Sequence, residues 1–257
     1  MKRNLIVVLL LIFAFSSISQ AKQPKPRKHK TTRTAAASGG KSAVPCPSTL
    51  NSITDCPDTG CGPSLDPNLN KHKNIRTDND APEDKDYSYL ASLADPVPGF
   101  AIGNTREKLA ALGEGKMIRV VAWALVARKG GQESCNCKLS APADTDNHIV
   151  LIDPSVKKPT LVKNEPTSQT AEFAPRVRLD HPKLVGADLE ALISAQGGKL
   201  LVRVTGQQMF DSEHSLGGLH LKRHNNWEIH PVFGLEYCPK NKACTAGSDA
   251  NWVNLEQ

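Results

Sequence analysis

Apolar and polar positions alternate most clearly between residues 116 and 128. Met117, Arg119, Val121, Trp123 and Leu125 fall on one face of an extended chain, and Ile118, Val120, Ala122, Ala124 and Val126 on the other. A run so rich in β-branched and apolar residues predicts a strand covered on both sides. Gly130-Gly131 makes a turn, residues 134–139 read as a second strand, and residues 148–153 as a third after a loop over 142–147. Residues 172–178 are extended and broken by Pro175. Residues 182–196 carry Leu184, Leu189, Leu192 and Ile193 as an apolar stripe and run into Gly197-Gly198, which predicts a helix and its stop. Two long segments follow, 199–210 and 227–237; Pro231 and Gly234 in the latter mark a bulge or an edge. A shorter helix is expected over 105–112, apolar at Leu109 and Leu112.

Five principal strands with one helix between the third and the last pair predict a mainly β domain, an OB-fold-like Greek-key barrel spanning 99–257. A parallel α/β fold needs repeated helical crossovers, and too few helical segments are present. Ahead of the barrel, residues 46–98 are punctuated by Cys, Pro, Gly, Asn and Asp with scattered apolar positions. They read as an irregular, disulfide-pinned segment lying across the main domain. Residues 22–45 hold almost no large apolar side chain and read as a disordered linker.

Lys2 and Arg3, an apolar run from Leu5 to Phe15 and small residues at Ser19 and Ala21 predict a signal peptide over 1–21, cleaved after Ala21. The run is shorter than the ~20 residues that span a bilayer. An extracytoplasmic protein, periplasmic or secreted and without a transmembrane anchor after cleavage, is therefore expected. The chain has 32 Lys and Arg against 26 Asp and Glu, but nine of the basic residues precede residue 42 and no acid does. The positive charge is a tail on a slightly acidic body. Such a tail suits an anionic ligand or envelope polymer as partner, or a solvated tether.

An exported chain directs its cysteines first to disulfides. The seven are 46, 56, 61, 135, 137, 238 and 244, and an odd number leaves at least one unpaired or bonded to another chain. Cys56 with Cys61, and Cys238 with Cys244, are near enough in sequence for local bridges. Cys135 and Cys137 on a strand would share a face. A bridge between them would be strained, which leaves distant partners or a thiolate pair. Their one-residue spacing is tighter than zinc sites usually use.

Asp55-Cys56-Pro57-Asp58-Thr59-Gly60-Cys61-Gly62 with Leu65-Asp66-Pro67, then Ser134-Cys135-Asn136-Cys137, Val202-Arg203-Val204-Thr205-Gly206, Phe210-Asp211-Ser212-Glu213-His214 and Trp227-Glu228-Ile229-His230-Pro231 together resemble a group of uncharacterised bacterial exported proteins. The resemblance covers about residues 55–237. It implies an OB-like fold and a shared polar cluster, and no reaction. Glu172-Phe173-Ala174-Pro175-Arg176 departs from the Glu-Val-Thr-Pro-Arg of that pattern but keeps Glu172 and Arg176.

The candidate chemistry lies at strand ends: His148, Glu172, Arg176, Asp211, Glu213, His214, Glu228 and His230. Glu228 and His230 share a strand face, and one loop, 215–226, separates them from His214. His148, His214 and His230 could hold a divalent metal whose water becomes a nucleophile, with Arg176 on a phosphate or carboxylate; that is a metal-dependent hydrolase, with a phosphodiesterase as one form. The alternative is that these side chains satisfy buried groups of long loops. His220 and His224 have metal-binding spacing only if helical, and their Gly- and Asn-rich flanks indicate a loop in which Lys222-Arg223 reaches toward an anion. No Gly-x-Ser-x-Gly elbow and no phosphate-cradling loop is present. Aromatic residues, at 5%, are too sparse for a base-stacking platform. The leading expectation is an exported OB-like binding or structural protein, with the hydrolase as runner-up.

Overall fold

A computed structural model describes residues 42–96, 106–214 and 222–257. The expected signal peptide over 1–21, most of the expected linker over 22–45, and His220 lie outside these residues. β1 (Ser42–Val44) pairs antiparallel with β2 (Gly62–Leu65), Val44 opposite Gly62. The carboxylate of Asp66 accepts from the Asn68 and Leu69 amides and caps α1 (Pro67–Lys73), where Pro67 fills the first turn. β3 (Glu83–Lys85) then lies parallel to the first barrel strand, and α2 (Tyr87–Ser92) follows. Tyr87 and Leu90 enter the main core, so the segment before the barrel supplies part of its packing as well as a cover.

After α3 (Glu107–Ala111), the alternating run forms β4 (Met117–Lys129). Its first part pairs antiparallel with β7 (Leu200–Phe210), and its last part with β5 (Asn147–Ile152) across an irregularity between Ala124 and Val126. A strand of 13 residues is long enough to serve both neighbours. After a single-turn α4 (Leu161–Asn164), β5 pairs with β6 (Gln169–Phe173), and β6 runs parallel to β8 (Trp227–Tyr237). β8 pairs antiparallel with β7, and closing the ring on β4 gives a five-stranded barrel in the order β4-β5-β6-β8-β7. α5 (Gly186–Ala195) joins β6 to β7, and a two-residue β9 (Val253–Asn254) extends β8. This is the OB-like barrel, with its helix between the third and fourth strands.

The core follows the strand alternation. Ile118, Val120, Ala122 and Ala124 of β4 meet Ile149, Leu151, Ala171, Phe173, Val202, Val204, Ile229 and Leu235, and Leu189 and Ile193 of α5 close the packing. Gly206 is required beside the irregular register of β7 and β8, because a Cβ there would stand 2.4 Å from the Pro231 carbonyl oxygen.

Three details differ from the sequence expectation. Residues 134–139 form turns: Cys137 and Lys138 both have positive φ, and the Ser134 carbonyl accepts from the amides of Cys61 and Cys137. The piece read only as extended over 172–178 is instead a barrel strand, running from Gln169 and ending before Pro175, whose missing N–H suits a strand exit; it, and not 134–139, completes the five. The α5 helix starts at Gly186, four residues after Pro182, the stretch before it being taken up by turns.

Candidate functional site

Ile149, Ala171, Phe173 and Ile229 point into the barrel, so the residues alternating with them, His148, Glu172, Glu228 and His230, face outward from β5, β6 and β8. Register sets them side by side. His148 is opposite Glu172, and the parallel pair Thr170–Glu228, carried two residues on, places Glu172 beside His230. His148 Nε2 lies 3.3 Å from Glu172 Oε1, and His230 Nδ1 lies 3.0 Å from Glu172 Oε2 and 3.2 Å from Glu228 Oε1. This wall, with the loops joining strands one to two and four to five, is where OB folds usually take ligands.

The loop from β4 to β5 adds Glu133, Ser134, Cys135, Asn136 and Asp146. The segment after β7 adds Asp211, Glu213 and His214, and Arg223 precedes β8. From α1, Lys73 reaches in and bonds Glu133 Oε2 at 2.7 Å with only 1% of its side chain exposed. Arg223 joins Glu228 at 2.8 Å to Asp211 at 2.9 Å, and Asp211 holds His214 Nδ1 at 2.7 Å. Asn136 donates to Asp146 Oδ2 at 2.6 Å. Six carboxylates (Glu133, Asp146, Glu172, Asp211, Glu213, Glu228) thus gather around Lys73, Arg223 and three imidazoles.

The charges are strongly coupled. His148 is raised to about 9, chiefly by Glu172. Burial pushes Glu172 upward, but His148 and His230 overcome it and bring it down to about 2. Asp146 is pushed up to about 6 by burial first and by Glu133 second. Burial opposes the charge on Lys73, yet Glu133 and Asp211 hold its ammonium well above the ordinary lysine range. Burial raises the Cys135 thiol well above its usual value, and Glu133 and Asp146 add to that effect. A buried network of this kind is costly unless every member is satisfied.

Among the described residues, two sets of donor atoms outside the disulfides converge closely enough for an ion. The atoms of Asp146, Glu172 and His230 lie within 4.8 Å of one another, as do those of Glu133, Cys135 and Asp146. A third set of converging atoms, the sulfurs of Cys46, Cys61 and Cys137, is excluded as a metal site because all three are in disulfides.

Of the residues picked from sequence, His148, Glu172, Glu228 and His230 are brought together. His214 is linked to them only through Asp211 and Arg223, and of the three histidines expected to hold a metal only His230 belongs to a converging donor set. Arg176 donates instead to the Cys56 carbonyl, holding the N-terminal segment. Arg223, expected to reach outward from a basic loop, is buried between two carboxylates, because Asp211 and Glu228 at adjoining strand ends would otherwise face each other uncompensated. His224 lies against the Ala91 carbonyl at 3.0 Å.

Cys238 and Cys244 are bridged as expected, but Cys56 and Cys61 are not partners. Cys46 bonds Cys61 and Cys56 bonds Cys137. The Pro57–Gly60 turn and the bond from the Cys61 amide to Ser134 bring the strand of Cys61 against β1, while the 134–138 turn presents Cys137 to Cys56. Cys135 is free and buried.

Lys73, Glu133 and Asp146 escaped the sequence reading. Asp146 had a signal, an acidic residue two positions before the candidate His148. Lys73, in a segment read as irregular, had none. Comparison of the chain with protein-family models, curated proteins and solved structures finds no match. The function is therefore argued from the site itself.

Proposed function

We propose that this chain is an extracytoplasmic OB-fold binding protein whose ligand wall is organised by a divalent metal ion held by Asp146, Glu172 and His230. One observation carries the reading. His230 has no exposed surface, its Nε2 has no hydrogen-bond partner and faces Asp146 Oδ1 at 3.9 Å, and its Nδ1 lies 3.2 Å from Glu228 and 3.0 Å from Glu172. An imidazole turned by a carboxylate on one nitrogen, with the other aimed at an acid, is how metal-ligating histidines are commonly oriented. Arg223 in turn fixes Glu228. A protonated His230 would leave a buried N–H unmet and a neutral one a buried lone pair, whereas a cation between His230 and Asp146 satisfies both residues.

Imidazole with carboxylates suits zinc and its neighbours better than magnesium or calcium. The three donors are at most 4% exposed in their side chains. Closed sites are structural, and activating water for hydrolysis needs a coordination position open to substrate, so the binding reading goes ahead of the hydrolase one. Three disulfides support a location outside the cytoplasm. Among the described residues no helix is long and apolar enough to cross a membrane.

Metal analysis tests this. The oxidised protein, dialysed after exposure to zinc, should retain ion, and at a free zinc concentration a hundred times Kd its stability should rise by about 2.7 kcal/mol. His230→Ala and Glu172→Gln should each lose the ion held by these three residues and the part of the stabilisation that it supplies. Zinc retention unchanged by both substitutions, or no retention by the native chain, would sink the proposal.

A further inference from the structure

The three disulfides use six of the seven cysteines, and the seventh is not stranded in apolar packing. Cys135 is 1% exposed, with its Sγ 3.5 Å from Glu133 Oε2 and 3.9 Å from Asp146 Oδ2. A buried structural cysteine ordinarily behaves as a small hydrophobe. Here the thiol donates to two carboxylates, which repel a thiolate, and the ammonium beside them, Lys73, is already bonded to Glu133. The two oxygens of Asp146 divide between the donor sets: Oδ1 faces the unpartnered Nε2 of fully buried His230, and Oδ2 faces Cys135. His148 links the same two groups on their other side, its Nε2 lying 3.3 Å from Glu172 and 3.8 Å from Glu133, also without a hydrogen-bond partner.

We propose that Cys135 is a metal ligand, forming with Glu133 and Asp146 a second ion position coupled to the first through the shared Asp146 carboxylate. This deepens the proposed function and rests on it. A bridging carboxylate with one oxygen to each ion is a normal way to hold two cations at close range. Binding converts the thiol to a metal-bound thiolate and releases its proton to solvent, with no change of oxidation state. The sulfur makes the pair zinc-class, since hard oxygen-seeking ions gain little from thiolate. Lys73, bonded to Glu133, sets the second position's affinity below the first, because its ammonium competes for the same carboxylate.

The test uses the full oxidised chain, stripped with chelator and titrated with Co²⁺ and then Zn²⁺. We expect two ions per chain and a thiolate-to-cobalt charge-transfer band in the near ultraviolet. The band should be absent in Cys135→Ser, which should keep one ion, whereas His230→Ala should lose the first ion. The band in the native chain needs no variant to fold and so guards against misfolding of Cys135→Ser. One ion per chain, sensitive to His230→Ala but without the band and indifferent to Cys135→Ser, would overturn this inference and leave the proposed function standing. One ion with the band would overturn the second position. No ion at all would overturn both readings.

Discussion

Arg223 offers the sharpest test of how the outer wall is held. Its guanidinium, with 5% of the side chain exposed, bridges Glu228 (0%) and Asp211 (3%). Arg223→Met keeps much of the volume and removes the charge. Asp211 would still have His214 and the field of Lys73, which together with Arg223 hold its carboxyl well below the usual range despite burial. The charge left without its arginine is therefore chiefly that of Glu228. Removing one partner of a buried pair costs about 3–5 kcal/mol, and one such loss is expected rather than two. At roughly 2–4 °C per kcal/mol for a domain of this size, the midpoint should fall by about 6–20 °C. Urea and thermal unfolding of the chelator-treated protein measure it. Glu228→Gln in the same chain should restore at least half of the loss, as a double-mutant cycle would show. A loss under about 1 kcal/mol, or no recovery with Glu228→Gln, would mean that water reaches the pair and that the wall is not the closed network described.

Other consequences are as readily checked. His214 is held above 6.5 by its hydrogen bond to Asp211; its contribution is thus full below that value and fades as pH rises through its raised folded value. His214→Gln should therefore destabilise more at about pH 6 than at about pH 9, and an equal cost at both would refute the pairing. The Cys56–Cys137 bridge spans 81 residues and Cys238–Cys244 spans 6, so chain entropy assigns them about 4.5 and about 2 kcal/mol. Paired Ala replacements, compared in urea, should preserve that order. Gly206→Ala forces β7 from the Pro231 carbonyl and should cost more than about 1 kcal/mol by thermal unfolding, a loss that Gly247→Ala, with open space around it, should not show.

The barrel was legible because its signal is local. β4, β7 and β8 alternate over 11 to 13 residues, and such runs predict themselves within a residue or two. The turn at 134–138 was misread as a strand because its shape comes from outside: a disulfide to Cys56 and a carbonyl shared with Cys61. The same holds for the site. His148, Glu172, Glu228 and His230 announce themselves as polar residues in apolar strands, and two-residue periodicity puts them on one wall. His214, chosen by its nearness to the loop, went astray because Arg223 intervenes. Lys73 was invisible, since nothing short of the fold brings α1 against β8 and the Glu133 loop.

The two N-terminal disulfides interleave: Cys56 lies between Cys46 and Cys61 along the chain yet bonds to neither. As the chain emerges from its N-terminus, Cys46 meets Cys56 before Cys61, and Cys56 meets Cys135 before Cys137. A protein oxidised in order of appearance would thus gather wrong pairs, and one of them would consume the thiol beside Asp146. The correct pattern requires either that the barrel close before the thiols are oxidised or that mispaired bridges be exchanged afterwards. The order of events during maturation, as much as the final contacts, decides whether Cys135 is left free.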